Sequence, residues 1–148
     1  VSLSTSSITA GIAALSVSGV TIKDMSGIPE QGFARSCPLM YPEPLSMVAQ
    51  YDDSPQTFTV AGGYWPVTRT IRYTYLHAQA GTERGIYAHF AGMTAKADLL
   101  VEALATLNVT GVDVLRVEVL NFGTVTDPAG GQFFGFQLDV TVRERINA

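Results

Sequence analysis

The sequence predicts an α+β domain: a mainly antiparallel β-sheet with helices packed on one face, plus a long proline-rich arm. Three observations carry this. Three stretches in the second half are rich in β-branched and aromatic residues that alternate with a period of two. A segment with apolar residues at alternating steps of four and three lies between the first and second of them. Six of the seven prolines, at 29, 38, 42, 44, 55 and 66, crowd between Lys23 and Pro66, where helices and ladders can only be short.

Taken in order, a Ser/Thr-rich start offers N-cap oxygens to Ile8, Ile12 and Leu15 at helical spacing, and Gly19 follows as a stop, so a first helix is expected over 6–18. "VTIK" (Val20 to Lys23) reads as a brief strand. The arm over 24–66 has two candidate islands of structure, "CPLMYPEP" and "QTFTVAG". Its aromatic content says that it packs on something, either its own core or a neighbour. "VTRTIRYTYLHA" (Val67 to Ala78) sets Val67, Arg69, Ile71, Tyr73 and Tyr75 against a largely polar second face of Thr68, Thr70, Arg72 and Thr74, as in an antiparallel sheet covered on one side only.

Ile86, Phe90, Met93, Ala97, Leu100, Leu104 and Leu107 then form one helix face. Gly92 disfavours a helix interior and Thr94 can cap one, which predicts a helical turn over 86–91 and a main helix over 94–107. Burying Leu100, Leu104 and Leu107 would contribute roughly 1.5–3 kcal/mol each. The strand Val112 to Val125 places Leu115, Val117 and Val119 on one face. The turn cluster "TDPAGGQ" follows, and a strand from Phe133 returns to complete a long hairpin. On that return strand Phe134, Phe136, Leu138, Val140, Val142 and Ile146 share one face, and Phe133, Gly135, Gln137, Asp139, Thr141, Arg143 and Arg145 the other.

The 148 residues, 47% apolar and 15% charged, suit one globular domain over 1–148. A net charge of −4 and the absence of a basic run argue against a nucleic-acid footprint. The single cysteine, Cys37, excludes an intrachain disulfide framework, and folding in a reducing compartment is the expectation. "VSLSTSSITAGIAALSVSGV" lacks the basic leader of a signal peptide, and no other window is apolar enough to span a bilayer, so a soluble protein with no membrane association is expected.

No catalytic or metal constellation stands out. His77 and His89 have no Cys or carboxylate at ligand spacing, and nothing around "RSCPLM" makes Cys37 resemble an activated nucleophile. Asp52 and Asp53 lack the dense acidic oxygens of a calcium loop, and neither "AGG" (61–63, 129–131) continues into a phosphate-binding helix start. No catalytic residue, cofactor or metal is therefore expected. Function falls to surfaces, and the candidate interface residues are Tyr41, Tyr64 and Trp65 of the arm, of types enriched in interface cores, together with Phe133, Asp139, Arg143 and Arg145 of the last strand. Phe133 is expected as an apolar tip near the turn; Asp139, Arg143, Glu144 and Arg145 are expected as a solvated or subunit-facing charged surface.

The succession "TRTIRYTYLHA", "GIYAHFAGMTAKADLLVEAL" and "NFGTVTDPAGGQFFGFQLDVTVRERI" resembles the tail terminator (tail-completion or neck) proteins of long-tailed bacteriophages, over about residues 67–146. The resemblance implies a non-enzymatic virion protein with a sheet and flanking helices, assembled in the host cytoplasm as a homomeric ring, a hexamer, at the head-proximal end of the tail tube. Its partners would be other copies of itself, the tail tube protein and a neck or head-completion protein, with DNA passing the lumen unread. Two alternatives stay open: another head–tail connector such as a head-closure protein, and a small non-viral ligand-binding α+β domain.

Overall fold

The alternation around Ile71 and Val140 is realised as two long strands laid side by side, and every other element is placed by them. The computed structural model describes residues 5–26, 37–43, 48–51, 64–80 and 85–147. In chain order the elements are α1 (Thr5–Ala13), β1 (Thr21–Ile22), β2 (Leu39–Pro42), β3 (Val48–Tyr51), β4 (Tyr64–Gln79), α2 (Ile86–Ala105), β5 (Val112–Thr126) and β6 (Gln132–Asn147). One sheet runs β1-β2-β4-β6-β5, with β3 also paired to β4. All pairings are antiparallel except β1 with β2. β2 lies opposite Tyr73–Leu76 and β3 opposite Val67–Thr70, so the two short strands sit end to end along one edge of β4.

The β4/β6 register sets Ile71 opposite Val140, Tyr73 opposite Leu138 and Tyr75 opposite Phe136. These side chains point to the helix-covered face, and the Tyr75 and Phe136 rings stack at 4.6 Å. Ala97, Leu100 and Leu104 of α2, with Ile8 and Ile12 of α1, close the same core, so both helices lie on one face of the sheet. This is the expected α+β architecture.

Several local expectations need correction. α2 is one continuous helix, not a turn followed by a second helix: the Thr94 hydroxyl donates to the Phe90 carbonyl one turn back at 2.9 Å instead of capping. Gly92 is tolerated there because the helix rests on His77; a Cβ at position 92 would lie 3.2 Å from the imidazole Cε1. α1 ends at Ala13, short of residue 18. "CPLMYPEP" does contain a strand, β2, whereas "QTFTVAG" lies outside the described residues. Tyr64, Trp65 and Pro66 are not the end of an arm; they open β4, paired with Asn147, Ile146 and Arg145. Pro66 stands one residue beyond the β3 ladder, where a missing N–H costs that ladder nothing. The described parts of 24–66 are thus largely sheet edge, and the rest of the proposed arm lies outside the described residues.

The second face carries a polar ladder. Arg72 donates to Asp139 through Nε and Nη2 at 2.8 and 3.0 Å, the Thr70 and Thr141 hydroxyls meet at 3.3 Å, and Gln137 donates to the Thr74 hydroxyl at 3.4 Å. At one end the ladder gives way to a small buried cluster of Leu39, Tyr41, Leu76, Val125 and Phe133. The β5–β6 turn is tied by the Asp127 carboxylate, which accepts from the Gly131 N–H at 2.6 Å, while Gly130 takes φ +89, a conformation that favours glycine.

Candidate functional site

β4 and the first turn of α2 bring the two histidines together, which their sequence separation does not suggest: the His77 and His89 rings lie 5.5 Å apart, edge to face. The Tyr75 hydroxyl and His77 Nδ1 share a hydrogen bond of 2.8 Å. Burial, reinforced by His89 and then Lys96, pushes the His77 pKa below the ordinary histidine value, so its imidazole is neutral at neutral pH. No third ligand joins the pair: among the described residues no group of three His, Cys, Asp or Glu gathers. Burial and, secondarily, Asp127 push the Cys37 thiol up to about 11, which leaves it protonated and a poor nucleophile. Asp52, Asp53 and the first "AGG" lie outside the described residues. The second "AGG" belongs to the hairpin turn.

The candidate interface residues separate into three groups. Tyr41 and Phe133, at 0% and 2% exposure, are core members of the second-face cluster and present no surface. The cause is that this face has an apolar end of its own, in which Val125 and Phe133 face each other across the hairpin. Asp139 is engaged by Arg72, and Arg143 is half-buried opposite Thr68. Tyr64, Trp65 and Arg145 are placed by backbone pairing between β4 and β6, and their side chains lie outside the described residues. Glu144, expected in the solvated charged group, is instead only 1% exposed and accepts from Arg69 Nε at 2.9 Å. It follows Val142 at a two-residue step, so the pleat turns it toward the helix-covered side.

The exposed apolar surface is aromatic and lies away from the residues that the sequence singles out. Tyr87 is 92% exposed, Phe90 52% and Phe122 38%. Phe90 and Phe122 meet edge to face at 5.7 Å, and Phe122 stacks on buried Phe136 at 5.7 Å. Phe122 reaches this place because the β5/β6 register shifts between Leu120 and Gly123, with Asn121 at φ +51. Leu115, at a second shift in register, and Val119 extend exposed apolar surface along β5, which is the end strand of the sheet. The sequence signal is half present: helical spacing puts Phe90 on the core stripe, but the start of α2 lies at the margin of that core. On the other flank of α2 a shallow cleft of about 330 Å³ is lined by residues 15–18 of the α1–β1 connection and by Leu99, Glu102, Ala103 and Thr106 of the helix end, apolar and polar side chains in equal number.

No family model matches this sequence, and no curated protein matches it. No helix among the described residues is long and apolar enough to cross a membrane. What the described residues present at the β5 side is an apolar, aromatic edge on a braced sheet.

Proposed function

We propose that the chain is a structural protein of a long-tailed phage virion, a tail terminator. In this reading it forms a hexameric ring at the head-proximal end of the tail tube, stops tube growth and joins the tail to a neck protein. The observation that carries the reading is the exposed aromatic surface of Tyr87, Phe90 and Phe122 at the β5 edge of the sheet among the described residues, surface of the kind used between subunits. The strand, helix and glycine-turned hairpin from β4 to β6 support it, since they follow the order on which the family resemblance rests. Charge supports it too: six copies at −4 sum to about −24, and DNA repelled by like charge slides past instead of sticking.

The experiment is electron microscopy of particles produced without this protein. Tails of uncontrolled length, or tails separate from filled heads, are the expected result. Tails of normal length joined to heads would refute the terminator role, and normal free tails beside unsealed heads would assign the chain to head closure.

A further inference from the structure

Tyr87 is the most exposed large apolar side chain among the described residues, and it lies three residues before Phe90 on α2, on the helix flank from which Phe90 meets Phe122. Phe90 and Leu99 are nine residues apart on one continuous helix, about two and a half turns, so they occupy opposite flanks of α2. Phe90 leans to the β5 side, where it meets Phe122. Leu99 lines the cleft shared with the α1–β1 connection. One subunit therefore carries an aromatic projection on one flank of α2 and a cleft of mixed apolar and polar lining on the other.

We propose that copies of this chain associate head to tail, the Tyr87–Phe90–Phe122 knob of one subunit entering the cleft between α2 and the α1–β1 connection of the next. The proposal rests on the ring reading and names the contact that builds the ring. Two unlike, complementary patches are what a heterologous, head-to-tail interface requires, and such a contact closes into a ring when the rotation it imposes between neighbours closes. The cleft lining is mixed: Leu15, Val17, Leu99 and Ala103 offer apolar contact to a ring, and Ser16, Ser18 and the Glu102 carboxylate offer oxygens that can accept from the Tyr87 phenol. Scaling the ~200 Å² that a large aromatic side chain can bury by the exposures of the three rings gives about 350 Å². That is nearly half of the roughly 800 Å² that each partner of a stable complex contributes, a suitable share for the apolar centre of such an interface. Leu115 and Val119 continue along the same edge.

The test uses the full chain. Tyr87→Asp and Leu99→Asp alter exposed side chains on the two flanks, and each is expected to weaken self-association about tenfold or more while leaving the melting temperature nearly unchanged. In a Cys37→Ser background, the double variant Tyr87→Cys/Thr106→Cys is expected to form a ladder of disulfide-linked oligomers on oxidation, and either single variant only dimers. Rings that form normally in both aspartate variants, or that yield no ladder, overturn this contact and leave the ring reading intact. Rings that survive Tyr87→Asp but lose binding to the tail tube overturn it in favour of a tube-facing knob. A wild-type chain that stays monomeric at every concentration overturns both. A ladder from a protein whose deletion leaves virions normal upholds the contact and refutes the virion role.

Discussion

His77 packs against the Tyr75 phenol on its own strand and faces His89 and Lys96 from α2, and burial foremost holds its pKa below the ordinary 6.5. The unfolded chain therefore takes up a proton near pH 6.5 that the folded chain refuses until lower pH. Stability from this group is fully present above 6.5 and is lost as pH falls through the interval down to the folded value. The melting temperature is expected to drop between about pH 7.5 and about pH 5.5, and to drop less in His77→Gln. An equal drop in both proteins would place the effect elsewhere. Glu144 gives a second test of burial. With Glu144 at 1% exposure and Arg69 at 16%, removing only the arginine strands a carboxylate in the core side of the sheet. Arg69→Leu should cost roughly 3 kcal/mol, and Arg69→Leu/Glu144→Leu should recover most of it, because two apolar neighbours need no desolvation of charge. Urea unfolding of the four proteins measures this, and a double variant as unstable as the single one would show that the pair is not the source.

At Gly135 the backbone of β6 passes close to that of β4. A Cβ built there would lie 1.9 Å from the Tyr75 carbonyl oxygen and 3.2 Å from Val125 Cγ2, beside the register shift between Leu76 and Ala78. Backbone cannot give way as a flexible side chain does, so Gly135→Ala should destabilise by about 3 kcal/mol, at the upper end of overpacking costs. Chemical denaturation checks it, and a loss below about 1 kcal/mol would mean that the strands can separate there without breaking the ladder. Most elements were legible in the sequence for a simple reason: a side chain's face in a strand or helix follows from residue spacing alone, as Ile71, Tyr73 and Tyr75 against Val140, Leu138 and Phe136 show. The misread elements are those settled by contacts distant in sequence. Gly92 argued for a helix break until His77 supplied a reason for the missing side chain. The register shifts at Leu115 and around Asn121 obey no period, and they decide where Phe122 points.

At the scale of the whole molecule, exposure is a property of the assembled sheet, and it sorted the interface candidates differently from residue type. Tyr41 and Phe133 look like contact residues in the sequence but are consumed by a second small core, whereas Tyr87 and Phe122 carry no contact signal in the sequence yet stand at the surface. A surface of this kind makes its own forecast about salt. Each copy carries −4, so neighbouring subunits repel at long range, and the contact proposed to overcome this is apolar. Raising NaCl from about 50 mM to about 500 mM shrinks the Debye length from over 10 Å to under 5 Å, which removes repulsion and leaves apolar burial in place. Self-association, followed by sedimentation equilibrium, should therefore tighten with salt and weaken on cooling, when the hydrophobic driving force fades. Rings held instead by ion pairs between subunits would loosen over the same salt range. That result would shift the contact away from the aromatic edge and toward charged side chains such as Arg116 and Glu118, which already pair with each other at 2.8 Å on the outer strand.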